Sequence, residues 1–155
     1  APAPRPAAPQ VAAPQVTAAP QTAALPAGNP DSQYKLANDL LTRRDYAGAE
    51  AALRAFLTSY PTHEKAGDAQ YWLGETYYVR DDFGNAVRAF AAGYSQFPKH
   101  ERASSNLLKM GLSLKALDRK QDACVSFAKL IEDFPTAPAN IRDRAQAERK
   151  ALACA

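Results

Sequence analysis

By residue type, two histidine–glutamate pairs and two cysteines are where this chain could do chemistry. His63-Glu64 and His100-Glu101 match the opening half of a zinc-protease signature, in which a second imidazole one helical turn on completes the metal site. That place is filled by Gly67 in one copy and Ser104 in the other, so neither pair can hold a metal in that way. Two histidines at equivalent places read instead as helix-start residues of connecting segments. Cys124 and Cys154 are too far apart in sequence for a CxxC redox pair or a metal-ligand pattern. Two readings stay open for them: buried thiols, or one disulfide that pins the last helix to its neighbour. The disulfide would contribute about 3–4 kcal/mol and imply an oxidising compartment. Asp81-Asp82 sits in a short polar break, where carboxylates start a helix and favour its positive end. The sequence has no GxSxG elbow, no phosphate-cradling glycine loop and no pocket-forming pair of carboxylates. The expectation is a non-enzyme with no cofactor and no metal.

The elements that position these residues recur. Tyr60-Pro61, Phe97-Pro98 and Phe134-Pro135 stand at a constant step of 37 residues. In the same register fall Ala37, Gly74 and Gly111; Leu36, Leu73 and Met110; Ala49, Ala86 and Ala123; and Leu53, Phe90 and Phe127. The connector Pro61-Thr-His63-Glu64-Lys65-Ala66 matches Pro98-Lys-His100-Glu101-Arg102-Ala103. Within each unit apolar residues recur at helical spacing in two stretches, separated by Arg44-Asp45, Arg80-Asp81-Asp82 or Asp118-Arg119. Each unit is therefore a helical hairpin. The small residue of its first helix admits the second helix closely, and proline ends the second. The periodicity predicts helices over 33–43, 46–59, 64–79, 83–96, 101–117, 120–133 and 138–153.

Composition divides the chain near Asp31. Residues 1–30 hold eight of the twelve prolines, eleven alanines, one charge (Arg5) and no aromatic residue. Such a stretch has too little apolar area to offset its ordering entropy and is expected to be a disordered linker with polyproline II character. Every aromatic side chain lies in the remainder, which suffices for one core. With Arg5 set aside, the overall charge of +3 leaves +2 there. That surplus, spread without blocks of like charge, gives no case for nucleic acid. No run of about eighteen apolar residues exists to span a bilayer. The chain opens Ala-Pro-Ala with no Met, and is read as processed or as a fragment.

Leu73-Gly74, Tyr77, Ala86, Phe90 and Pro98 in the second unit resemble the tetratricopeptide repeat, with Leu-Gly, Tyr, Ala, Phe and Pro at those offsets. The likeness is strong in units two and three. Unit one departs from it, with Ala37 for Gly, Leu40 for Tyr and Leu53 for Phe. The resemblance implies an all-α, right-handed solenoid of three hairpins plus a capping helix. Its divisions are a linker over 1–31 and a repeat domain over 32–155, with repeats about 32–62, 63–99 and 100–136 and a cap helix over 138–153. More specifically, Asp68-Ala-Gln-Tyr-Trp-Leu-Gly-Glu-Thr-Tyr-Tyr78, Phe83-x-x-Ala-x-x-Ala-Phe90, the placement of both cysteines and the low-complexity stretch ahead are similar to the C-terminal domain of the Tol-Pal accessory proteins (the YbgF/CpoB family). That resemblance implies a periplasmic protein of Gram-negative bacteria that binds TolA, with a peptidoglycan synthase as a further partner. It also implies coordination of peptidoglycan synthesis with outer-membrane constriction at division. Family members carry a signal peptide and a trimerising coiled coil ahead of the linker; neither lies in this sequence. A structural scaffold of an outer-membrane or secretion assembly, built from the same repeats, is the competing reading.

In tetratricopeptide hairpins the first helix faces a groove. By register the groove residues are Tyr34, Asn38 and Leu41 in unit one, Tyr71, Glu75 and Tyr78 in unit two, and Leu108, Leu112 and Lys115 in unit three. Tyrosines favour interfaces because they join large apolar area to a polar tip, and the set suits a partner helix or extended peptide. The bland alternative is that these side chains bury against neighbouring repeats. Asn38 fits one position of a carboxylate clamp, but Tyr34 and Tyr71 stand where its cations would be needed. Trp72, the sole tryptophan, is expected to wedge between repeats.

Overall fold

The computed structural model describes residues 28–155; the linker reading of 1–31 falls almost wholly outside them. Seven helices follow in order: α1 (Pro30–Thr42), α2 (Tyr46–Ser59), α3 (Ala66–Tyr78), α4 (Phe83–Gln96), α5 (Ala103–Ala116), α6 (Lys120–Asp133) and α7 (Ala139–Ala151). No strand occurs among the described residues. Each helix packs on the next, and α7 also touches α5. The result is an all-α solenoid of three hairpins (α1–α2, α3–α4, α5–α6) closed by a seventh helix.

The first helix begins at Pro30, so residues 30 and 31 belong to it and not to the linker. Its start is fixed by the Asn29 side chain, which accepts hydrogen bonds from the backbone N–H groups of Asp31 and Ser32 at 2.9 and 3.4 Å, with proline in the first turn where no donor is missed. The three hairpin turns share one solution. Arg44, Asp81 and Asp118 take the left-handed conformation, with φ of 59°, 59° and 58°. The next residue's N–H then reaches back to the carbonyl of Leu40, Tyr77 or Leu114 at 2.9–3.0 Å. This satisfies carbonyls that the helix end would otherwise orphan. Asp45 and Asp82 then cap the second helix by accepting from Gly48 and Asn85.

The connectors correct two helix starts. The expectation put α3 from 64 and α5 from 101; both begin two residues later. His63 Nδ1 accepts the Lys65 N–H at 3.2 Å and His100 Nδ1 accepts the Arg102 N–H at 3.1 Å, so each histidine closes a turn that the periodicity had merged into the helix.

The core follows the repeat register. Leu53, Phe90 and Phe127, one column of the repeat, are wholly buried, as are Phe56, Leu107 and Leu130. At Gly74 an added Cβ would meet the Phe90 ring, and at Gly111 the Phe127 ring, in both cases inside any tolerated contact. Unit one reaches the same closeness by another route. Ala37 keeps its Cβ and stays fully buried, and the facing residue is Leu53 instead of phenylalanine. Volume moves from one helix to the other, which close packing requires. Two clusters of buried residues, one over units one and two and one over unit three and α7, meet at Met110.

Candidate protein-binding wall

The first helices are knit side to side. Between α1 and α3, Trp72 and Tyr34 pack on the first cluster. Between α3 and α5, Lys109 pairs with Glu75 at 2.9 Å and lies 4.2 Å from the Tyr78 ring centroid. Between α5 and α7, Lys115 donates to Glu148 at 2.6 Å. These bridges align α1, α3, α5 and α7 as one wall, with α2, α4 and α6 behind.

The nine residues placed on this wall by register divide by depth. Tyr34, Asn38, Leu41, Tyr78 and Leu112 are half-buried and keep an open side. Burial raises the Tyr34 phenol, Asp68 adds to that, and hydrogen bonds from Asn38 and Trp72 oppose it. Tyr71 lies deeper, 9% exposed. Its ring meets those of Trp72 and Phe90 at 5.3 and 5.9 Å, and the Arg102 guanidinium covers it at 4.8 Å. Burial, and secondarily the Glu75 carboxylate, push its phenol up to about 12, so it stays protonated through the physiological range. Leu108 is likewise core. Here the bland alternative describes the placement: both residues pack inward instead of standing open on the wall. Glu75 is mostly covered under Lys109. Lys115 is exposed but turned toward α7.

Glu148 is the most deeply buried carboxylate that bridges this wall, 6% exposed. Burial alone would raise its carboxyl, but hydrogen bonds from Lys115 and Arg144 outweigh it and hold the group below the usual range. Trp72 wedges between units as expected, half-buried under Arg102. Arg102 in turn is held by Asp68 at 3.0 Å. Register reasoning passed over Lys109, Arg102 and Asp68. Lys109 stands one repeat after Trp72, in the column two residues ahead of the small residue. In sequence that column reads chiefly as packing, through Trp72, with a direct binding role as the lesser alternative.

Elsewhere the sequence candidates find structural roles. The His100 ring lies where a Cβ on Gly67 would be, 2.6 Å away, and its Nε2 is 3.8 Å from Asp68. His63 sits edge-on to Phe56 at 5.6 Å. Cys124 in α6 and Cys154 just after α7 are joined by a disulfide, their Cα atoms 5.6 Å apart; of the two readings left open, the bridge is the one present. Among the described residues no helix is long and apolar enough to cross a membrane.

Residues 34–101 and 105–137 match family models described as tetratricopeptide repeat; together they cover all three hairpins and most of the chain. No curated protein matches the sequence. Tetratricopeptide domains are typically non-catalytic and mediate protein–protein interactions. With hairpin geometry, the glycine–phenylalanine crossings and both matched stretches in agreement, the chain belongs to the tetratricopeptide-repeat family.

Proposed function

We propose that the protein is a periplasmic adaptor of the Tol-Pal system, which binds TolA along the first-helix wall and links peptidoglycan synthesis, through a synthase partner, to outer-membrane constriction at division. The observation that carries the binding mode is the row of half-buried side chains, Tyr34, Leu41, Trp72, Tyr78 and Leu112, each with area the core does not use. Amphipathic side chains with one covered and one open face suit a helix or strand laid across them. The Tol-Pal assignment is supported by the Asp68–Tyr78 and Phe83–Phe90 strings and by the paired cysteines, a bridge that persists in oxidising compartments.

Calorimetry with the periplasmic part of TolA tests it. Tyr78→Ala with Leu112→Ala, both outside the deepest core, should weaken binding by about 2 kcal/mol or more with the circular dichroism spectrum unchanged. Undiminished affinity in that variant would rule out this wall. Tyr71→Ala is a poor choice, since its ring is part of the core.

A further inference from the structure

The back of the solenoid carries a groove where α2 and α4 flank α3. Leu73 and Tyr77 of α3 and Ala89 of α4 make its floor, and Arg54, Asn85 and Arg88 its rim, around a volume of about 270 Å³. The floor residues belong to the first core cluster, and the Tyr77 hydroxyl is engaged by Glu50 at 3.0 Å, so what faces the groove there is apolar. The repeat register sets this groove apart. One step of 37 residues on, the places of Arg54 and Arg88 are held by Ala91 and Val125, and Val125 stands 66% exposed. Packing of the hairpins therefore does not call for arginine at either place.

Both rim cations are weakly matched within the fold. Glu50 is held by Arg80 and by the Tyr77 hydroxyl, and Arg54 reaches it only at 3.5 Å. Arg88 donates to the neutral Asn85 Oδ1 at 3.3 Å and forms no ion pair among the described residues. Asp82 takes the Asn85 amide at 2.7 Å and attracts Arg88 from farther off. Two guanidiniums beside an apolar floor fit a carboxylate carried next to an apolar side chain. The planar fork takes carboxylate oxygens in pairs, and a floor that excludes water from one side lifts such pairs above the small worth of fully exposed ones. Glu50 beside them is a standing negative charge, which favours a singly charged occupant over a phosphate. The volume lies just under the about 300 Å³ at which ligand clefts begin, so the groove admits a short stretch of chain and not a whole helix. We propose that it is a second docking site, on the side opposite the first-helix wall, for an acidic stretch of a partner polypeptide: Arg54 and Arg88 receive an Asp or Glu carboxylate while the adjoining apolar side chain rests on Leu73, Tyr77 and Ala89. The inference requires neither that the wall bind nor that its partner be TolA.

Amide NMR spectra of the full chain, followed as acetyl-Leu-Glu-Leu-amide is added, test it. Saturable shifts should gather at the groove-lining amides of α2, α3 and α4 and at the Nε–H groups of Arg54 and Arg88. The acetyl-Leu-Gln-Leu-amide counterpart should bind about tenfold more weakly, because its neutral amide cannot form the charge-assisted bonds. Arg54→Gln with Arg88→Gln, both exposed side chains, should weaken the Glu peptide about as much. Lys99→Gln with Lys120→Gln removes the same charge from exposed positions elsewhere and should change affinity by less than about twofold, since screening confines surface charges to about 10 Å. Equal weakening by the two double variants would mean attraction to net charge alone and overturns the proposal. Absent shifts, or shifts confined to α1 and α5, overturn it too, as does inorganic phosphate that moves the same amides as strongly as the Glu peptide.

Discussion

Glu148 combines a low-dielectric position with two cationic partners, and the balance of those effects makes it pH-sensitive. Its folded carboxyl lies below the ordinary value of 4.5. Its contribution is therefore full above that value and is lost as pH falls through the folded one, as protonation removes the attraction of Lys115 and Arg144. Glu148→Gln should cost about 1–3 kcal/mol near neutrality. It should also flatten the decline in chemical-denaturation stability below about pH 5; an unchanged acid slope would place the sensitivity elsewhere. At this scale the sequence was partly legible. Periodicity of 3.6 residues fixes direction, and Tyr34 and Tyr78, which register puts on the groove face, are half-buried while Tyr71 of the same set lies in the core. Register could not name depth, which depends on what the neighbouring repeat lays on top. Arg102 over Tyr71 and α7 beside Lys115 are contacts between units, and no single unit's pattern records them.

Helix bounds show the same division one level up. The second helices over 46–59, 83–96 and 120–133 agree with expectation to the residue, because an αL turn starts each and an aromatic-Pro pair stops it, and both signals are local. The starts of α3 and α5 were misplaced because a histidine accepting from the backbone two residues on looks, in sequence, like more helix. The hairpin crossing gives a test of element packing. Gly74→Ala should destabilise by about 1–3 kcal/mol through the clash with Phe90, against a helix-propensity gain of about 1 kcal/mol. Adding Phe90→Leu rebuilds the Ala37–Leu53 pair of unit one. The double variant should therefore lose less than the two single changes summed, by about 1 kcal/mol in a denaturation cycle. Additive losses would mean that the swap of volume between helices is not what makes unit one fit.

In a linear stack each helix pair is stabilised by its neighbours, so the last element, with a partner on one side only, is the first to fray. Here α7 buries little beyond Ala145 and Glu148, and its apolar help is the half-buried Ile141 and Leu152. The Cys124–Cys154 bridge supplies what that packing lacks, because it ties the residues after α7 to α6 and restricts the frayed ensemble. A bridge closing a loop of this length contributes about 3–4 kcal/mol. Cys124→Ser with Cys154→Ser should thus lower the melting temperature by about 10 °C, with hydrogen exchange accelerating in α7 and the adjoining part of α6 while α1 to α4 keep their protection. A uniform loss across all seven helices would instead mean that the stack unfolds as one unit. The consequence reaches the wall as well, since Lys115 and Glu148 close its far end. If α7 holds that end in place, reduction of the native protein should weaken capture of a partner that spans all three units while sparing one that touches only α1 and α3. Titrating long and short partner peptides with and without reductant reads that difference directly.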